Sequence, residues 1–501
     1  MTVVRDETDP ALLTATAARE LLRRRALGAL ELVDACIDRI ERLDPIVNAV
    51  VVRRFDVARA EARAIDARAG RADAGALGGL PILIKDIQDV AGSPTTWGSP
   101  DRAVFPAGQD SGIVARVRAA GAIVLGKTNV PELSIGANTI NPLFGATGNP
   151  FAPDLTCGGS SGGSAAAQAA GFAPLATGSD HGGSLRIPAS FCGVVGLRAT
   201  PGVVPNEQRK VAQSYYAVQG PMARSVADTG LLLSVIAGRD HGGSRDPMAF
   251  PLDAGAFASV PVRRADTLRL AFSPDLGGVT VSHEVRKRFA GCVDALRAIV
   301  AETRPARIDL TQAPDVDWHL RQYLFAANYA EEAAHWRADI NPNVRATFDA
   351  ALRTPLLDIA RARRAQQALL LDVAAQLEDV DALLLPGVSI APFPWRHLNP
   401  AEIDGVAVTN YMGWLELTAA LTVVGHPVVA LPIGQDENGL PFGVQLVGRL
   451  YGERALLGVA AALEAAIAAV PELAPPRVDA QWLAAQNVDC QGEGKRVLAA
   501  D

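Results

Sequence analysis

Ser164-Ala165-Ala166-Ala167-Gln168-Ala169-Ala170-Gly171-Phe172-Ala173-Pro174-Leu175-Ala176-Thr177-Gly178-Ser179-Asp180-His181-Gly182-Gly183-Ser184-Leu185-Arg186-Ile187-Pro188-Ala189 reads as helix, strand, polar turn and helix in succession. The alanine-rich run 164–170 is a strong helix former that Gly171 ends. Ala173–Thr177 is a short strand. Gly178–Ser184 is a glycine-rich turn, and Pro188 stands where a helix begins. Helix and strand keep alternating to about Gly238, which predicts a layered α/β core: a large, mixed, mostly parallel twisted sheet flanked by helices on both faces.

Working outward, Leu80–Ile84 is an apolar run bounded by turn residues, a buried strand that delivers Lys85 and Asp86 at its C-terminal end. Ile113–Ala120 reads as a helix and Gly121–Leu125 as a strand. The passage 141–163 is rich in Gly, Pro and Asn and ends in Gly158-Gly159-Ser160-Ser161-Gly162-Gly163. The stretch from Thr14 to Ala69 carries apolar residues at helical spacing. Residues 253–381 are charged and helical, and strand patterns return at Ala382–Pro386 and Val428–Pro432. The expected organisation is an N-terminal helical segment (1–75), a core (76–252), a helical insertion or cap (253–381), the C-terminal part of the core (382–476) and a peripheral tail (477–501).

Composition narrows the function classes. The 501-residue chain is 49% hydrophobic and 20% charged, which is globular rather than disordered. A formal net charge of -7 argues against a nucleic-acid binder, which needs a basic face for phosphates. The five cysteines, Cys36, Cys157, Cys192, Cys292 and Cys490, show no CxxC spacing, so no zinc site is expected and a reducing, cytoplasmic setting is. No apolar run reaches membrane-spanning length.

The chemistry-bearing residues are Lys85 and the two Gly/Ser turns. Glycines let backbone approach a ligand closely. Consecutive turn amides near a helix N-terminus can converge on one developing negative charge. A serine hydroxyl needs a base to become a nucleophile, and lysine serves only if burial keeps it neutral. On the residues alone, Lys85 is either that base or a surface lysine at a strand end, and the turns are either a site or linkers. Asp-His-Gly-Gly-Ser occurs twice, at 180–184 and 240–244. Only the first copy has a strand before it and a helix after it, so Ser184 rather than Ser244 is the candidate. The second reads as a helix C-cap loop.

These stretches resemble the amidase signature family. Gly158–Gly171 and Gly178–Gly196, the latter ending Phe191-Cys192-Gly193-Val194-Val195-Gly196, carry the likeness. Asn141-Pro142-Leu143-Phe144-Gly145 and Gly220-Pro221-Met222-Ala223-Arg224-Ser225 extend it. The resemblance implies Ser184 as acyl-forming nucleophile, Ser160 as bridging serine after a cis Gly159–Ser160 bond, and Lys85 as base. It implies backbone amides of His181, Gly182, Gly183 and Ser184 as an oxyanion hole, and Asp180, Arg186 and Ser161 as support. Ser134, Ile135 and Gly136 match a segment beside the acyl pocket. The implied activity is hydrolysis of a small-molecule carboxylic amide, with esters and carbamates also open, needing no metal or organic cofactor. A homodimer is the family-level expectation.

Other readings stand beside this one. Gly158-Gly159-Ser160-Ser161-Gly162 also fits the G-x-S-x-G elbow of an α/β-hydrolase esterase, with His397 or His426 downstream. Against it, Pro150–Asp154 is a poor strand. A further alternative is the A-type subunit of a glutamine-dependent tRNA amidotransferase. His181, Ile187 and Arg198-Ala199-Thr200 depart from that subfamily. The His181 imidazole is tempting as a base, but its backbone N–H is the expected contributor. Trp97, Phe144, Tyr215, Tyr216 and Trp414 either line the pocket or serve the core.

Overall fold

A computed structural model describes residues 9–68, 75–103, 105–238 and 245–499. The second Asp-His-Gly-Gly-Ser copy, 240–244, therefore lies outside the described residues, as does most of the polar N-terminus.

One sheet of 11 strands organises the chain. Its spatial order is Val50–Arg53, Ile123–Thr128, Pro81–Lys85, Leu175–Asp180, Val218–Ala223, Val195–Arg198, Val428–Gln435, Pro441–Val447, Ala382–Pro386, Arg269–Phe272 and Glu302–Pro305. The α/β class stands, but strand direction corrects the expectation of a mostly parallel sheet. Pro81–Lys85 runs parallel to both neighbours, as does Arg269–Phe272, and every other pairing is antiparallel. The reason is burial. Strands such as Val218–Ala223 and Pro441–Val447 are buried along their whole length. Val428–Leu431, read as a strand from its continuous apolar run, shows the consequence: such runs are typical of parallel sheets, yet this strand is antiparallel to both neighbours and is covered by a helix all the same.

Two helix pairs cover the middle of the sheet. Gly162–Ala169 and Arg186–Cys192 pack on each other and on the strands around Leu175–Asp180 and Val195–Arg198. Val226–Ile236 packs with Glu453–Ile467 against Val218–Ala223 and Val428–Gln435. The N-terminal segment holds three helices, Ala15–Arg23, Ala29–Val47 and Phe55–Asp66, and also contributes the edge strand Val50–Arg53, which its helical pattern concealed.

The segment expected to be a helical insertion also supplies two strands, Arg269–Phe272 and Glu302–Pro305, to the far edge of the sheet. Its helices Ala313–Tyr329, Pro342–Ala351 and Leu356–Gln376 pack together and against Glu416–Val424. They enclose a second apolar cluster, separate from the main core, that includes Leu133, Ile187, Phe325, Phe348, Tyr411 and Met412. The candidate site lies between the two cores.

Candidate active site

Lys85 ends a fully buried strand. Side chains alternate across a strand, so Lys85 and Asp86 diverge. Asp86 pairs with buried Lys127 at 2.7 Å and accepts the Thr96 hydroxyl. Lys85 Nζ is left with hydroxyls: Ser160 Oγ at 2.7 Å, Ser161 Oγ at 2.9 Å and Ser179 Oγ at 2.9 Å. The amine is fully buried. Burial pushes its pKa well below the ordinary lysine value, and the field of Asp180 only partly opposes this. A neutral amine beside serine hydroxyls is an acceptor for a proton.

The loop before the Gly162–Ala169 helix carries Ser160, and the Gly159–Ser160 peptide bond is cis. Ser161 Oγ accepts the Ser179 amide and donates to the Ser179 carbonyl, both at 3.2 Å. The Ser161 N–H donates to Ser184 C=O at 3.3 Å. The two Gly/Ser turns, separate in sequence, are thus laced together over the lysine. Close approach demands the glycines. A Cβ on Gly163 would lie 2.4 Å from the Asn129 nitrogen, and Gly183 holds φ +129° against Thr418.

The turn bearing Ser184 is held by a buried ion network. Asp180 accepts two bonds from Arg186, both 3.0 Å, and one from Arg198 at 3.2 Å. Burial alone would raise the Asp180 pKa, but Arg186 and Arg198 reverse this and hold it well below the carboxylate range. Arg186 also donates to Thr418 C=O, Gln445 Oε1 and Thr422 Oγ1, which docks the turn on Glu416–Val424 and Pro441–Val447. Thr418 Oγ1 in turn donates to Gly182 C=O at 2.7 Å. Arg198, noted in the sequence only as a departure from a subfamily, is a structural partner of the site.

Among the amides expected to face an oxyanion, that of Gly183 donates to Asp180 Oδ1 at 2.9 Å and is directed into the ion network. The His181 carbonyl accepts Arg321 Nη2 at 3.1 Å. The His181 ring packs on Tyr216 with centroids 5.1 Å apart, and its Nε2 is buried with no hydrogen-bond partner among the described residues. Burial, with Arg321 and Arg198 nearby, pushes its pKa well below the ordinary histidine value. The imidazole is therefore neutral, and among the described residues it shares no hydrogen bond with Ser184.

Lys85 is closed off beneath Ser160, and above them a cavity of about 740 Å³ is lined by Ser160, Ser179, Ser184, His181 and Gly182. Ser134, Ile135 and Gly136 form part of the same wall. Of the five candidate aromatics only Trp97 lines it. Tyr216 and Trp414 are core residues. The apolar wall comes instead from Leu324, Phe325, Tyr329, Tyr411, Met412 and Leu415. Sequence reasoning missed these because Leu324, Phe325 and Tyr329 lie in a segment whose pattern is simply helical, and Tyr411, Met412 and Leu415 in the turn before Glu416–Val424, where no local pattern marks a pocket. Arg102, Arg209, Lys210 and Arg321 also reach the cavity, and each is paired, with Glu332, Asp246, Glu332 and Asp317 respectively.

The esterase reading requires a histidine at Ser160. His426 is buried with Nδ1 on Gly448 C=O at 2.8 Å, His397 is exposed, and neither lines the cavity. Ala152–Thr156 forms a strand before Ser160, but in a separate two-stranded sheet with Gly148–Asn149. Among the described residues no group of three or more His, Cys, Asp or Glu is placed to hold a metal ion, and no helix is long and apolar enough to cross a membrane.

Comparison with known proteins agrees with this architecture. The Amidase family profile matches residues 31–457. An acylamidase of Rhodococcus erythropolis is 33% identical over 465 residues, covering 90% of this chain and 95% of its own. The A-type subunit of the glutamyl-tRNA(Gln) amidotransferase of Roseiflexus castenholzii is 34% identical, covering 89% and 94%. Among solved structures, a bacterial aryl acylamidase of the amidase signature family superposes with a TM-score of 0.82 at 26% identity, covering 95% of this chain and 99% of its own. With a base-and-hydroxyl site on such a frame, the chain belongs to the amidase signature family and is a hydrolase of C–N amide bonds.

Proposed function

We propose that this chain is a free-standing amidase that cleaves uncharged small-molecule carboxylic amides through a Ser184 acyl-enzyme. The observation that carries the reading is Lys85 Nζ, buried and surrounded by hydroxyls, with Ser160 Oγ at 2.7 Å. Neutral Lys85 takes the Ser160 proton while Ser160 takes that of Ser184. Ser184 Oγ bonds to the amide carbon. The amides of His181, Gly182 and Ser184 stabilise the oxyanion. Ser160 then returns a proton to the departing amine as the C–N bond breaks. Water cleaves the ester by the same relay, yielding acid and free Ser184.

Two features favour an uncharged, apolar acyl group. The cavity wall facing the helices of 313–351 is apolar and aromatic. The four cations at the cavity pair with three carboxylates, Arg102 and Lys210 sharing Glu332, and the Asp89 carboxylate also lines the cavity, which leaves little net positive charge to hold an acidic substrate.

The test is a hydrolysis screen of the isolated chain over anilides, aliphatic amides, carbamates and esters, with Ser184→Ala as blank. Turnover of apolar amides that vanishes in the blank is expected. Turnover surviving in the blank overturns Ser184 as nucleophile. Activity on glutamine alone, and only with added partner subunits, supports the amidotransferase reading instead.

A further inference from the structure

Ser134 was expected beside the acyl pocket, and it lines the cavity. Its hydroxyl also donates within the protein, to Ser160 Oγ at 2.7 Å. The backbone is bent to put it there. Leu133 and Ser134 are consecutive non-glycine residues with φ +53° and +61°. Such conformations are costly for side-chain-bearing residues and persist where surrounding contacts enforce them.

Those contacts are on hand. The Leu133 N–H donates to Trp97 C=O at 2.7 Å. Buried Glu132 accepts Ser99 Oγ at 2.9 Å, the Asn341 amide at 3.0 Å and Arg337 Nη1 at 3.2 Å. The 132–134 turn is thereby fastened from the core side and from the 313–351 helices at once.

We infer that Ser134 is a positioning residue of the proton relay: its hydroxyl occupies one lone pair of Ser160 Oγ and so sets the direction in which the Ser160 proton points. The inference rests on the relay proposed above. Ser160 has one hydrogen and two lone pairs. With Ser134 on one lone pair, and the Ser184 hydroxyl taking the other as the proposed relay requires, the hydrogen is left facing Lys85 Nζ. As Ser160 passes that proton to the amine and takes the Ser184 proton, its oxygen gains transient negative charge. The Ser134 O–H then becomes a stronger bond at the moment of transfer. The Ser134 proton itself stays on Ser134.

The same arrangement disfavours the ammonium form of Lys85: an ammonium cannot accept the Ser160 hydrogen, and with Ser134 and Ser184 on the two Ser160 lone pairs none is left to accept from it. Its neighbours are otherwise uncharged hydroxyls, and Asp180 is the charge whose field acts on it. Removing Ser134 therefore moves the acid limb of kcat/KM to higher pH.

The experiment compares Ser134→Gly and Ser134→Ala with the unaltered chain on one apolar anilide across pH. Glycine suits the positive φ, so that variant separates lost hydroxyl from lost fold. A fall in kcat of about 10- to 100-fold, with KM within about twofold and the acid limb moved upward, is expected in both. A raised KM with kcat and the limb intact makes Ser134 a substrate contact and overturns the inference. Unchanged kinetics overturn it as well, and so does a lower kcat with an unmoved limb, which is what a loosened loop gives. Lys85→Ala and Ser184→Ala run alongside. Full turnover in either brings down the relay itself, an outcome distinct from failure at Ser134.

Discussion

Lys85 Nζ lies 2.7 Å from Ser160 Oγ, and the other two partners of the amine are hydroxyls as well. A base held this way works only when unprotonated. Burial lowers its pKa, so kcat/KM should rise with pH through that lowered value and level off above it, well before the ordinary lysine range. Lys85→Ala should lower kcat by about 10²- to 10⁴-fold, and a pH-rate series on a chromogenic anilide checks both.

The same group makes folding pH-dependent. In the unfolded chain Lys85 titrates near ~10.4, and in the folded chain well below that. Between the two values the unfolded state binds more protons, so this residue's contribution to stability rises with pH and weakens as pH falls toward the folded value. Urea denaturation at several pH values should show that slope in the unaltered chain. It should be missing in Lys85→Met.

Asp180 and Arg186 form a fully buried pair, so removing one partner strands the other. Asp180→Asn leaves Arg186 and Arg198 short of their counter-charge and should cost about 3–5 kcal/mol at neutral pH, read from denaturation midpoints. The Asp180 contribution is complete above ~3.9 and lost as pH falls through its depressed folded value.

His181 lies in the turn that carries Ser184, yet its ring packs on Tyr216 and is neutral. His181→Thr should keep kcat within about threefold and leave the pH profile in place, because the backbone N–H survives. A loss comparable to that of Ser184→Ala would make the imidazole a catalytic group.

Phe325 lies 5% exposed on the apolar wall of the cavity, in the helix Ala313–Tyr329. Phe325→Ala should raise KM about tenfold or more for long alkyl or aryl amides. Short amides such as acetamide should hardly respond. A KM series over acyl-chain length measures the difference.

Some of this was legible in local sequence. The alanine helix after Ser160 and the strand ending at Lys85 are short-range patterns, and the observed elements Gly162–Ala169 and Pro81–Lys85 lie where those patterns point, whereas the strand Leu175–Asp180 continues through Gly178, Ser179 and Asp180, which the sequence pattern places in the turn. Ala382–Pro386 matches its expected bounds residue for residue. The edge strand Val50–Arg53 was hidden among helical signals. Its four residues gain a strand's hydrogen bonds only from Ile123–Thr128, some 70 positions on.

The candidate site divides along the same line. That two Gly/Ser turns stand where a site could form, one of them with consecutive amides beside Ser184, follows from residue types at short spacing, while the roles of Ser160 and Ser184 come from the family resemblance. Whether Lys85 is a base was open in the sequence, since a lysine at a strand end is as readily a surface charge. Only the folded chain buries it under three hydroxyls while Lys127 draws Asp86 away. Strand direction, the use of Ser134 on Ser160 and the apolar wall around Phe325 are likewise tertiary facts. Each joins groups that lie on separate elements, and the energies that bring them together are burial and long-range hydrogen bonding rather than local backbone preference.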